Sequence, residues 1–304
     1  MSLNILILAF GRQFKTVAQK KLYFKEIAIV EISSYILSLI SAYYLAKKGY
    51  GVYALVYSAL VQFIGSNLYF FFKGILTKSI SFHFSYKETI PFLKIGVYQV
   101  GGQVANYFNR DIDVLIIGKL LGTEVLGGYS LAKQLVFKPM QFINPVLTRV
   151  ASPMMARLQT QKIELKNKYL QLIRIITNIT IPTYLLILVF SGFIVKVLYG
   201  INFVEISPLV KILSLYMIIR SIGNPIGVLS ISTGRTDLEF YMNIIMLIIY
   251  PCAILIGSLI SINSVAWSIL ITSIISFIPI WYFILRKMIP LGFKEYIAAI
   301  LKIK

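Results

Sequence analysis

Residues Tyr107–Gly122 read YFNRDIDVLIIGKLLG, which sets Arg110, Asp111 and Asp113 inside a run otherwise apolar enough to cross a bilayer. An ionisable residue at that depth costs roughly 2.5–3.5 kcal/mol on insertion scales, and such residues mark functional sites by default. Three within four positions require partners, water or a ligand. The flanking sequence decides which of these the fold can offer.

The surrounding chain is a membrane protein by composition. Of its 304 residues 58% are hydrophobic and only 13% charged, far from the usage of soluble domains. Apolar runs long enough for a spanning helix are predicted at Ile27–Ala46, Tyr50–Phe72, Gly96–Gly118, Val125–Met155, Leu172–Phe190, Ser207–Ser232, Phe240–Ile260 and Ser264–Leu285. These lengths suit helices, since barrel strands need only about 9–11 alternating residues. The expected fold class is therefore all-α, a polytopic integral membrane helical bundle.

Several function classes fall away. Cys252 has no second cysteine to pair with, and His83, in a polar loop, is the single histidine. No catalytic residues, metal site or cofactor are expected. The net charge of +19 is read as the positive-inside bias rather than as a nucleic-acid footprint. The basic residues concentrate around Lys20–Glu26, Lys73–Lys94, Arg157–Arg174, Gly234–Asp237 and Arg286–Lys304, and alternating spans place all of these on the cytoplasmic side. Lys47, Lys48 and Lys196 fall on the other side as exceptions.

Two cytoplasmic stretches, Phe82–Lys94 and Lys162–Arg174, mix basic and apolar residues as helices lying in the membrane interface do, the first reading equally as a solvated linker. At the start, apolar Met1–Phe10 precedes Arg12, Lys15, Lys20 and Lys21, the reverse of a secretory signal, so it reads as the end of a spanning helix. Pro139, Pro145, Pro182, Pro225, Pro251 and Pro279 fall within spans and predict bent helices around a cavity.

On a helix, Asn106, Arg110 and Asp113 share one face, with Tyr107 and Asp111 on the adjacent one. Arg110 and Asp113 can then form an ion pair within their own helix, or this face can border an aqueous cavity that receives an anion. In the next span Gln134, Lys138 and Gln141 share a face, with Lys133 beside them. Arg12 and Lys15 occupy a helix end and Arg220 lies inside a span, while Lys211 and Arg149 are placed to snorkel outward. Against these cations the spans offer only Glu31, Asp111 and Asp113. A net-positive cavity follows, and phosphate suits both Arg forks and Lys ammonium groups. The substrate-binding candidates are Arg110, Lys133, Lys138, Arg12, Lys15, Arg220, Gln134, Gln141 and Asn106. Asp111, Asp113 and Glu31 are the coupling or tuning carboxylates, although Glu31, about a turn inside its helix, reads first as a satisfied interfacial carboxylate.

YFNRDIDVLIIGKLLGTEVLGGYSLA (Tyr107–Ala132) resembles the seventh and eighth helices of bacterial polysaccharide-unit flippases, the Wzx-type branch of the multidrug/oligosaccharidyl-lipid/polysaccharide exporter superfamily. QKKLYFKEIAIVEISS (Gln19–Ser34), KKGYGVYALV (Lys47–Val56) and STGRTDLEFYMNIIM (Ser232–Met246) look like the same family, in the same order. The resemblance implies two six-helix lobes around a central cavity and alternating access by rocking of one lobe. It divides the chain into part of the first lobe (1–72), a cytoplasmic linker (73–95), a complete second lobe (96–286) and the start of a further helix (287–304). Helices preceding the fourth are expected to be missing, together with a twin of the segment Gly118–Gly122.

The implied activity is transfer of an undecaprenyl-pyrophosphate-linked oligosaccharide across the bacterial cytoplasmic membrane for surface polysaccharide synthesis, without an enzymatic step. The implied partners are that lipid-linked oligosaccharide, membrane lipids, a glycan polymerase and other assembly proteins, with no nucleic acid. A fragment without activity, a cation-coupled exporter of small amphipathic compounds and a membrane-embedded glycan transferase are the competing readings.

Overall fold

Every predicted span coincides with helical structure in the computed structural model, which describes residues 3–77 and 85–301, and no strand occurs among them. The chain divides into two compact units, Met1–Ser85 and Tyr86–Lys304.

The first unit holds α1 (Leu3–Lys20), α2 (Phe24–Lys47) and α3 (Tyr53–Leu76). Its core is small: Ala18, Ile27, Val30 and Phe70, with Phe14 and Phe24 against them. Much of α2 is apolar and turned outward, as in Ile32, Ile36, Leu39 and Ile40. Polar ties supplement the packing. Lys15 on α1 meets Glu31 on α2 at 2.6 Å, and Glu26 on α2 receives Lys73 and the Tyr69 hydroxyl from α3.

The second unit begins with two long helices, α4 (Tyr86–Leu120) and α5 (Thr123–Arg157), of 35 residues each. Gly122 reverses the chain between them at φ +87°, a left-handed conformation that glycine adopts without a side-chain clash. There follow α6 (Lys162–Val189), α7 (Ser191–Tyr199), a 3₁₀ turn (Ile201–Ile206), α8 (Ser207–Gly223) and α9 (Pro225–Thr233). After these come α10 (Thr236–Ser258), α11 (Ile262–Ile280), a π-helical segment (Trp281–Leu285), α12 (Arg286–Met288) and α13 (Phe293–Leu301).

Among the described residues six helical stretches are long and apolar enough to cross a membrane: Phe24–Lys47, Tyr53–Leu76, Lys162–Val189, Ile201–Thr233, Thr236–Ser258 and Ile262–Met288. The protein is a multi-pass membrane protein. Helices α4 and α5 have the length but are not among these stretches; both carry ionisable residues together with Gln and Asn.

Pro225 and Pro279 coincide with changes in helix type. The expected single span Ser207–Ser232 breaks at Asn224–Pro225 into α8 and α9, and α11 passes into the π-helical segment just after Pro279. The interfacial helix expected over Lys162–Arg174 is corrected: this stretch is the first half of α6, and Leu165, Tyr169 and Ile173 are fully buried in protein. Its amphipathic spacing serves helix packing. The corresponding expectation over Phe82–Lys94 starts outside the described residues, where His83 also lies; its remainder, from Tyr86 onward, is the beginning of α4.

Two apolar cores build the second unit. One contains Ile117, Tyr129, Val136, Met140, Leu213, Met217 and Val265. The other contains Ala151, Met155, Leu165, Tyr169, Ile222, Leu229, Leu285 and Tyr296. Polar residues fall between them: Asn144 lies on α5 between Met140 and Ala151, and Arg220 on α8 between Met217 and Ile222. Helix α10 closes against α4 at Gly101, where a Cβ would stand 2.8 Å from the Phe240 ring. In lipid such close approach is a principal source of helix association, because apolar burial alone gives little.

Candidate functional site

Tyr129 and Lys133 are four residues apart on α5 and therefore share a face, which the Gly122 turn brings against α4. Lys133 Nζ lies 2.7 and 3.0 Å from the two Asp113 carboxylate oxygens, and the Tyr129 hydroxyl donates to the same carboxylate. Lys133 also donates to the Arg110 carbonyl at 2.5 Å and reaches Asp111 at 3.3 Å. Asp113 and Lys133 are only 6% and 8% exposed. A buried pair with its remaining hydrogen-bonding capacity so filled avoids much of the cost of an isolated charge.

The expected intrahelical pairing of Arg110 with Asp113 is therefore corrected. Arg110 turns to its neighbour Asp111, with Nη2 and Nε at 2.7 and 3.1 Å, and lies over the Tyr107 ring at 5.0 Å. Asp113 faces α5 instead, where an ammonium and a phenol already wait. Helical spacing allowed the first arrangement, and the neighbouring helix imposed the second.

Arg220 differs from both of these cations. It donates through Nη1 to the Tyr216 hydroxyl at 2.6 Å and stands over the Phe137 and Tyr216 rings at 5.5 and 5.8 Å. Among the described residues no carboxylate is within ion-pair distance of it. It enters a chamber of about 710 Å³ whose lining also includes Asn106, Arg110, Asp111, Lys133, Gln134 and Gln141. Three helices, α4, α5 and α8, thus bring seven of the twelve expected site residues to one cavity. Asp113 sits behind this wall.

The other expected residues lie elsewhere. Lys138 is exposed and outside the chamber lining. Arg12, Lys15 and Glu31 belong to the first unit, where Arg12 is exposed and Lys15 pairs with Glu31. Lys211 is exposed on α8.

A second cavity, of about 350 Å³, adjoins the first. The two share Asn106, Asn144, Arg220 and Asn224, and the second adds Asn109, Asn243, Glu239 and Tyr250. None of these except Asn106 and Arg220 was anticipated. A signal was present in the sequence: Asn144-Pro145 and Asn224-Pro225 are both Asn-Pro dipeptides inside apolar spans. Each places an amide beside a position where the helix lacks a backbone donor.

The sequence profile of a family described as "Polysaccharide biosynthesis protein" matches residues 1–208. Over 310 residues, 99% of this chain and 61% of the other, the chain is 27% identical to the "Lipopolysaccharide biosynthesis protein WzxC" of Escherichia coli (strain K12). It is 28% identical over 313 residues, 99% and 62% of the two chains, to the "Teichuronic acid biosynthesis protein TuaB" of Bacillus subtilis (strain 168). A shorter match of 169 residues, 56% and 44%, is 36% identical to the "Amylovoran biosynthesis protein AmsL" of Erwinia amylovora. The chain spans less than two thirds of the length of these relatives. No solved structure matches it.

Proposed function

The chain belongs to the polysaccharide biosynthesis protein family, and from that premise we propose that it takes part in moving a polyprenyl-pyrophosphate-linked oligosaccharide across the cytoplasmic membrane. The observation that carries this reading is Arg220, a cation without a carboxylate partner on a chamber wall that also bears Arg110 and Lys133. A pyrophosphate crossing lipid must exchange its water for other donors. The free edge of a guanidinium offers a forked pair of them, and the Asn106, Gln134 and Gln141 amides add neutral donors around it.

The roles divide according to the pairing. Arg220 is the primary phosphate ligand. Arg110 is held by Asp111 at an exposed position and can swing to a phosphate when one enters, leaving Asp111 to Lys133. Lys133 stays with Asp113 and holds α4 and α5 together at the chamber wall. The prenyl tail remains in lipid, the sugars ride in the aqueous interior, and alternating access carries the head group over. No covalent step is involved, so this is transport rather than catalysis. Its natural partners are the enzymes that make and polymerise the lipid-linked unit.

The test is binding of a short-chain prenyl pyrophosphate to the detergent-purified chain. Arg220→Gln is expected to weaken binding about tenfold or more, the worth of a charge-assisted hydrogen bond. Equal affinity in wild type and variant would refute the assignment.

A further inference from the structure

We propose that the second chamber is a subsite for the sugar portion of the ligand, and that Glu239 makes it select units lacking carboxylate groups. This rests on the reading that the protein binds a lipid-linked oligosaccharide, and it adds which chemistry of oligosaccharide is accepted.

The argument starts from Glu239 itself. It lies in the first turn of α10, where the helix N-terminus favours a negative charge. Its only hydrogen-bond partner among the described residues is the Ser230 hydroxyl of α9, which meets Oε2. No cation pairs with it there, and its Oε1 has no partner. Asp113 on neighbouring α4, by contrast, has an ammonium and a phenol. Glu239 therefore presents an acceptor to the cavity.

The rest of the wall is amide. The side-chain amides of Asn106, Asn144 and Asn224 make no hydrogen bond among the described residues, and all three line the chamber. Asn109 donates to the Asn243 carbonyl at 2.8 Å, while its own Oδ1 is buried without a partner. A buried amide oxygen without a partner, as at Asn109, is costly unless something polar enters. Sugar hydroxyls both donate and accept, as amides do, and two adjacent hydroxyls can donate together to one carboxylate. A carboxylate on the sugar reverses this match, since it brings no donor and meets Glu239 with like charge. Tyr250 and Phe277 supply apolar ring surface on the same wall. Arg220 lines both chambers, so a phosphate held there leaves the attached sugars facing Glu239.

The detergent-purified chain is titrated with two soluble probes of equal length, an N-acetylglucosamine tetramer and a galacturonate tetramer. Wild type is expected to prefer the neutral probe by about tenfold, with the preference shrinking as salt is added. Glu239→Gln should narrow the preference about tenfold. Asn144→Asp, which places a second carboxylate on the wall, should widen it, and it decides the matter if the first variant does not fold. Equal binding of both probes by wild type, a preference unmoved by either variant, or binding of neither probe overturns the proposal. Inorganic pyrophosphate is titrated in parallel. Its failure to bind, or indifference to Arg220→Gln, refutes the phosphate assignment while leaving the sugar preference to stand on its own result.

Discussion

Asp113 on α4 and Glu239 on α10 are both carboxylates in the interior of the same helical unit, and they are supplied very differently. Asp113 is enclosed, with Lys133 and Tyr129 directed at it from α5. Glu239 receives one serine hydroxyl and opens onto a cavity. A charge whose partners are complete is part of the scaffold, because no ligand can improve on what it already has. A charge whose partners are incomplete remains available. The same distinction separates the cations: Lys133 is spent on Asp113, and Arg220 is not spent on any carboxylate among the described residues.

The largest test of this contrast is Asp113→Ala, which removes the nearer carboxylate of the buried Lys133 ammonium and leaves it Asp111 at 3.3 Å and the Arg110 carbonyl. It should cost about 3–5 kcal/mol, seen as a large fall in melting temperature in detergent. Asp113→Leu combined with Lys133→Met should recover most of that, since removal of both partners leaves no uncompensated charge. Glu239→Gln should cost about 1 kcal/mol or less, because Ser230 can still donate to the amide oxygen. Equal losses at the two positions would break the comparison.

Next in size is the difference between the cations. Arg220→Gln should lower pyrophosphate affinity about tenfold or more, and Arg110→Gln by less, because Arg110 must first leave Asp111. A larger effect at Arg110 would reverse the assignment of primary ligand. In the first unit, Lys15→Ala removes a partly exposed pair and should shift stability by about 0.2–1 kcal/mol. Lys138→Ala, outside the chamber, should stay within about 0.5 kcal/mol in stability and leave pyrophosphate affinity unchanged.

The smallest expected effect is on pH. The Gly292 N–H and then the Lys166 ammonium hold the Glu295 carboxyl below its ordinary value of 4.5. A group depressed on folding stabilises above its unfolded value and loses that contribution as pH falls through the folded one. The seating of α13 on α6 should accordingly loosen only in acid below that value, as a rise in amide exchange over Phe293–Leu301. Loosening that begins near neutral pH would point to another group.

The spans were legible because crossing a bilayer imposes length and hydropathy on each segment separately. The excess of basic residues and the charges set within the Tyr107–Gly122 stretch were legible for the same reason. Glu239 was not, although it lies within a stretch quoted for its resemblance, since one carboxylate near a basic loop looks like an ordinary helix-start residue. Its isolation is visible only from what α9, α4 and α5 fail to place beside it. The amphipathic Lys162–Arg174 misled for a related reason: an apolar stripe reads alike whether it faces lipid or protein.

Sequence alone determined that this is an all-helical membrane protein, where its apolar spans run, that the Tyr107–Gly122 stretch carries charge into one of them, and which family it resembles. These are properties of single segments and their local composition. The tertiary structure decided which of those charges cancel. Lys133 and Asp113 meet because one turn at Gly122 brings two helix faces together, while Arg220 and Glu239 meet no opposite charge among the described residues. Compensation of a charge in a medium of low dielectric depends on atoms a few ångströms away on other helices, and no local pattern specifies those.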